Sequence, residues 1–461
     1  MFNVQTYTQR RKSLVSKMKS GIILLLGNNE SPMNYPANTY HFRQDSSFLY
    51  FFGLNEPGLA AIIDIDNDKE VIFGNDIDLD DIIWMGPQPS LIERAALCGV
   101  KETRAFVELE NFIKNNLPTR NIHYLPPYRH DNMILIDNIL GIKPSEQKKL
   151  ASVELIKEIV NLRSKKEAQE IAAIEKAMYV AYLMHTSAMK MTKAGVYERE
   201  IAGAMEGIAL AHGCTVSFPI ILTKNGQTLH NHYHGNKLNN GELVLVDAGI
   251  ESPEFYCTDH TRTFPVSGKF TAKQKEIYDI VLKANEEAIS MIKPDISYKS
   301  IHLEACKIIT EGLKSIGLMT GNTIEAVEQG AHAMFFPHGL GHMMGIDVHD
   351  MEDLGQDYVG YNQNVQKSTQ FGTAYLRLAR ELQESFVLTV EPGIYFIPAL
   401  IEKWKNENKF TQYINYKKVE EYLDFGGIRI EDDVLVTADG YKVFGKPIPK
   451  KLSEIENLML K

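Results

Sequence analysis

A chain of 461 residues, 44% hydrophobic and 23% charged, is long enough for two or more domains with buried cores. Its formal net charge of -10 carries no electrostatic footprint for nucleic acid or an anionic membrane surface. Cys98, Cys214, Cys257 and Cys306 are widely spaced and form no CxxC pair, so they read as thiols of a reducing compartment.

At the N-terminus, TQRRKSLVSKMKS is polar and helix-compatible, and the run IILLLG after it reads as a buried strand. That run is too short for a signal-peptide core or a membrane span, and no later stretch approaches roughly 18 uninterrupted apolar residues. The cytoplasm is the expected location. SFLYFFG, AAIIDID and KEVIFG continue as strand-like runs, which predicts an α/β domain over residues 1–163. A charged connector follows, in which Ser164-Lys165-Lys166-Glu167 fits a capping box. A helix is predicted to begin near Ser164 and to open a second domain over 164–461.

The second stretch runs twice through one order. Helical patterns at 164–192 and 196–212 precede strand-like FPIILT, ELVLVDAGI and FYCTDHTRTFPV. Patterns at 271–293 and 299–316 then precede SFVLTVEPGIYF and GGIRIEDDVLVT. Helices then sheet, repeated, predict an α+β domain of two related halves. The polar segments 351–384 and 397–425 read as long loops.

Strand alternation puts Leu243, Leu245 and Asp247 on one face, and Asp259, Thr261 and Thr263 on one face. A hairpin would bring the two aspartates together. Glu391 closes the strand VLTV, and Arg429 and Glu431 point the same way in GIRIEDD. A single acid at a strand end is usually a turn-former or a surface charge. Acids that follow core-type runs repeatedly are costly to bury unless paired or bound to a cation. His338, His342 and His349 share the segment FFPHGLGHMMGIDVHD, whose Gly339 and Gly341 argue for a loop with close backbone packing. His230 lies in a second histidine cluster, LHNHYHGN.

VDAG, TDHTRTFPV, PHGLGHMMGIDVHD, VLTVEPGIY and GIRIEDD, in this order, resemble the proline-specific metallopeptidases, Xaa-Pro aminopeptidase (aminopeptidase P) and prolidase. YHFRQDSSFLYFFGLNEPGLAAIID is similar to that family's N-terminal domain. The resemblance implies an α+β chain with an N-terminal α/β creatinase-like domain and a C-terminal pita-bread catalytic domain. It implies Asp247, Asp259, His342, Glu391 and Glu431 as ligands of two divalent cations, Mn²⁺ in the family and Co²⁺ or Zn²⁺ as alternatives. The four carboxylates would balance the four positive charges. A hydroxide shared by the cations is the expected nucleophile. Glu391 would move the proton to the proline nitrogen, and His230 would lie near that nitrogen. His349 would hold the tetrahedral intermediate, and His338 would line the proline-side pocket. Tyr395 and Arg429 would support the centre, and Trp84 resembles a tryptophan contributed by a neighbouring subunit of a homodimer or homotetramer. A core aromatic is the alternative for Trp84.

The expected substrates are peptides with proline at the second position. Prolidase stays open as the alternative, because Arg377 could clamp a dipeptide carboxylate and the stretch from Glu391 to Glu431 is long. A metal-free peptide-binding module is disfavoured because all five ligand positions carry ligand residues. Methionine aminopeptidase is disfavoured by chain length.

Overall fold

The structure, a computed structural model, describes residues 2–460. It divides into two compact units, Met1–Arg163 with Met351–Tyr358, and Ser164–Asp350 with Val359–Lys461. The short excursion 351–358 carries the buried Leu354 in a 3₁₀ turn, Glu352–Leu354, and no local sequence signal marks its departure.

The first unit is built on a five-stranded sheet in the order Glu102–Ala105, Lys69–Gly74, Ala60–Asp64, Ile22–Leu26, Ile122–Tyr124. The inner pairings are antiparallel, and the two edge strands are parallel to their neighbours. Ile22, Leu24, Ile62, Val71 and Phe73 turn one face toward Leu109, Ile113 and Ile139 of the covering helices, the period-2 pattern of a strand. TQRRKSLVSKMKS lies largely in the helix Val4–Val15, as its composition predicts.

SFLYFFG, read above as a strand, is a helix, Ser46–Phe52. A short, wholly apolar run cannot be assigned by periodicity when every side is buried, as here. The signals that decide it are the caps. Asp45 accepts from the N–H of Phe48, and Gly53 closes the helix at φ 67°. The predicted helix start at Ser164 also moves. Ser164 ends the helix Val153–Ser164, and the next helix, Ala168–Met191, opens with a capping box of Glu167 and Glu170. A glutamate three residues further on completes the pair better than the serine does.

In the second unit the helices Ala168–Met191 and Glu198–Ala211 precede a sheet of Ile221–Thr223, Leu243–Ala248 and His260–Pro265. The helices Ala272–Ser290 and Tyr298–Ser315 precede a sheet of Val387–Val390, Asp432–Val436 and Tyr441–Val443. Gly393–Tyr395 pairs with Gly427–Arg429. The segment 397–425, expected as loop, carries the helices Pro398–Asn406 and Tyr416–Val419, with Trp404 buried. Among the described residues no helix is long and apolar enough to cross a membrane, and all four cysteines are buried thiols.

Candidate metal centre and substrate pocket

The hairpin expected between the two aspartates forms, with Leu243–Ala248 pairing antiparallel to His260–Pro265 and Asp247 opposite Thr261. Asp259 precedes the second strand, and its N–H donates to Asp433 at 2.9 Å. In the other half Val390 pairs with Asp432, which sets Glu391 and Glu431 at neighbouring strand ends. The halves join there, because the N–H of Glu431 donates to the Thr261 carbonyl at 3.1 Å.

The histidine segment is threaded across the second half. The N–H of Glu391 donates to Leu340 O at 2.8 Å, and the N–H of His342 donates to Thr389 Oγ1 at 3.1 Å. This approach requires Gly341, since a Cβ there would lie 2.0 Å from the Thr389 carbonyl oxygen.

Ligand atoms of Asp259, His342 and Glu431 lie within 4.8 Å of one another, all buried. His342 Nδ1 is 3.0 Å from the Met343 carbonyl, which calls for a proton on Nδ1 and leaves the lone pair on Nε2. That Nε2 is 3.4 Å from Asp259 Oδ2 and 4.0 Å from Glu391 Oε1. Asp247 Oδ1 and Asp259 Oδ1 are buried without a hydrogen-bond partner. Burial pushes Asp259 and Glu431 well above the ordinary carboxylate range, and the neighbouring carboxylates push them further. Glu391 is raised to about 7, by burial first, with Asp259 and Asp247 adding and His342 and Arg429 opposing. Converging carboxylates with orphaned oxygens and one oriented imidazole are a donor set that fits hard or borderline divalent cations.

Arg429 organises the base of the site. Its Nη2 donates to Asp247 Oδ2 at 2.5 Å, its Nε to Thr261 Oγ1 at 3.0 Å, and its Nη1 to Tyr395 Oη at 3.0 Å. Thr261 in turn donates to Glu431 Oε2 at 2.6 Å. Reading the strand face placed Thr261 beside Asp259 but did not find this bridging role, which only the pairing of the two halves creates. Tyr395 Oη is 2.8 Å from His338 Nε2, and His338 Nδ1 is 2.8 Å from Gly339 O. Burial lowers His338 to about 3 and keeps it neutral.

Arg377 Nη1 is 3.1 Å from His349 Nδ1, and His349 lies edge-on to His342 with ring centroids 4.2 Å apart. His230 is exposed, within electrostatic reach of Asp247, Arg377, His349 and Arg429. Trp84 belongs to the first unit, in the helix Leu79–Met85, and is 87% exposed, so it is no core aromatic. A pair that sequence reasoning missed, Lys166 Nζ with Asp350 Oδ2 at 2.9 Å, is almost wholly buried at the end of the histidine segment.

Residues 172–438 match the model of metallopeptidase family M24, and residues 7–124 match that of the aminopeptidase P N-terminal domain. A probable Xaa-Pro aminopeptidase of Aspergillus niger is 33% identical over 453 residues, covering 95% of this chain and 93% of the relative. The Xaa-Pro aminopeptidase of Escherichia coli is 30% identical over 468 residues, covering 99% of this chain and 98% of the relative. The solved structure of Escherichia coli aminopeptidase P with the inhibitor Pro-Leu superposes with a TM-score of 0.82 at 29% identity. It covers all of this chain, which spans 98% of that one. A zinc-substituted form of that enzyme in complex with product gives 0.83 at 30% identity, with the same coverage. The α+β chain therefore joins an aminopeptidase P N-terminal domain to a pita-bread catalytic domain, and it belongs to metallopeptidase family M24.

Proposed function

We propose that this protein is a metal-dependent Xaa-Pro aminopeptidase, which hydrolyses the bond between the first residue of a peptide and a proline at the second position. The observation that carries this reading is the convergence of Asp259, His342 and Glu431, with Asp247 and Glu391 beside them, in a chain that matches full-length Xaa-Pro aminopeptidases.

Asp247, Asp259, His342, Glu391 and Glu431 would hold two divalent cations, Mn²⁺ by preference, with Co²⁺ or Zn²⁺ as alternatives. Such cations supply Lewis acidity toward the scissile carbonyl and lower the pKa of water. Glu391, less enclosed than the other acids, takes a proton from the attacking water and delivers it to the departing proline nitrogen. Both nitrogens of His338 are engaged, by Gly339 O and Tyr395 Oη. It therefore offers the substrate its ring, which suits an apolar pyrrolidine. The guanidinium of Arg377 can only donate, so His349 Nδ1 accepts and the proton sits on Nε2. That N–H is the donor assigned to the substrate oxygen as charge develops there. His230, on the exposed side, is placed near the proline nitrogen.

The full-length match to Xaa-Pro aminopeptidases favours cleavage of longer peptides over prolidase activity, while the single contact of Arg377 with His349 is compatible with either substrate. Hydrolysis of a matched Xaa-Pro dipeptide and Xaa-Pro-Xaa tripeptide with added Mn²⁺ tests this. The tripeptide is the preferred substrate on this reading, and exclusive cleavage of the dipeptide would overturn it. A homodimer or homotetramer is proposed from the short helix that exposes Leu79, Ile83, Trp84 and Met85. Sedimentation at the mass of one chain would refute it.

A further inference from the structure

A second group of metal-type donors lies apart from the carboxylates. His302 and Cys306 stand four residues apart on one face of the helix Tyr298–Ser315, and His332 faces them from the 3₁₀ turn Ala331–Met334. Their ligand atoms lie within 4.8 Å of one another, and all three residues are fully buried. A neutral imidazole carries one N–H and one lone pair, and both need partners when buried. The Val327 carbonyl is the backbone acceptor for an N–H of His332, which leaves the lone-pair nitrogen of that ring, and Nδ1 of His302, without a partner.

Cys306 Sγ is 3.6 Å from His302 Nε2. A thiol-to-imidazole hydrogen bond would explain that distance but leaves the lone pair of His332 without a partner. A cation held by Cys306 Sγ and by one nitrogen of each imidazole explains the distance and partners the His332 lone pair, while the other His332 nitrogen keeps its N–H toward the Val327 backbone. Metal–sulfur and metal–nitrogen bonds of about 2.3 and 2.0–2.1 Å, at a tetrahedral angle, separate the two donors by about 3.6 Å. Burial lowers His302 to about 3 and His332 to about 4, so both imidazoles are in the neutral form that ligates.

We propose that His302, Cys306 and His332 form a binding site for one thiophilic transition-metal cation, Zn²⁺ or Cu⁺, distinct from the carboxylate-rich centre. Two imidazoles and a thiolate are soft to borderline donors, unlike the oxygen-rich set around Asp259. On binding, the sulfur–metal bond forms and the thiol proton leaves to solvent; no electron is transferred. The thiolate neutralises Cu⁺ fully and Zn²⁺ by half. Burial raises the Cys306 thiol pKa, so the cation, rather than the protein alone, has to drive this ionisation. The cation would tie the helix to the turn that leads into the histidine segment. Phe336 then bridges the two regions, its ring 5.6 Å from that of His302 and 4.8 Å from that of His338.

The test strips the full-length protein of metal, reloads it separately with Zn²⁺ and with Cu⁺, and removes excess ion. X-ray absorption at each metal edge should find a metal–sulfur shell at about 2.3 Å in at least one loading. The carboxylate centre contributes no sulfur, so it cannot mimic this signal. Cys306→Ala should lose the shell and bind one cation fewer per chain; His332→Gln should also bind one fewer and serves if the alanine variant fails to fold. Absence of a sulfur shell from the wild type under both loadings would overturn the proposal. So would a shell and stoichiometry unchanged by Cys306→Ala.

Discussion

Arg429 reaches Asp247, Thr261 and Tyr395 through three different nitrogens, and through Thr261 it reaches Glu431. Lysine keeps the charge but has one nitrogen on a flexible stem, so it cannot hold three partners at fixed angles. Arg429→Lys is expected to weaken metal affinity by about 10–100-fold, the usual cost of losing an oriented partner behind a ligand. Mn²⁺ titration of activity reads this as a shift to higher metal, with recovery at saturation; an unchanged titration would remove Arg429 from the supporting role. Glu391 has the opposite profile, since it is assigned both to hold metal and to move a proton. Glu391→Gln should lower kcat by about 100–10,000-fold, the range for a lost acid–base group, with the far-UV circular dichroism intact. Activity close to wild type in a metal-replete variant would refute the proton-transfer role.

At the level of elements, the glycines separate packing constraint from local propensity. A Cβ on Gly341 would meet Thr389 O at 2.0 Å and Tyr298 Oη at 2.7 Å, and neither the backbone nor that buried tyrosine can retreat. Gly341→Ala should therefore destabilise the second unit by roughly 1–3 kcal/mol, as overpacking does, and depress activity by pushing His342 off the strand Val387–Val390. Gly203, inside the helix Glu198–Ala211, has open space around its Cβ position, and alanine there should stabilise by roughly 0.5–1 kcal/mol. Thermal melts of the two variants should move in opposite directions. The same contrast explains what could be read in advance. The hairpin around Asp247 and the strand before Glu391 were legible because alternation and apolar runs are local properties. SFLYFF was misassigned because burial on all sides erases periodicity, and only Asp45 and Gly53 carried the helical signal. The bridge from Thr261 to Glu431 and the pair Lys166–Asp350 join residues 170 and 184 positions apart, a separation that no window of sequence spans.

For the whole molecule, the site is a concentration of negative charge that the fold holds together at some cost. Glu391 is raised from 4.5 to about 7, and Asp259 and Glu431 are raised well above their ordinary values. Between the unfolded and folded pKa of such a group, the native chain binds more protons than the unfolded one, so stability falls as pH rises. For Glu391 that window runs from 4.5 to about 7 in the metal-free protein. A cation prefers the ionised carboxylates and binds the native state, so it reverses the penalty where the penalty is largest. Metal-stripped protein should accordingly lose thermal stability from about pH 5 to about pH 7. The Tm difference between Mn²⁺-loaded and stripped protein should widen over the same interval. Paired melts across that range decide the matter, because a metal bound only at exposed surface acids would give a gap that is already constant at pH 5. A constant gap would mean that the five assigned side chains do not share one charge-repelling pocket.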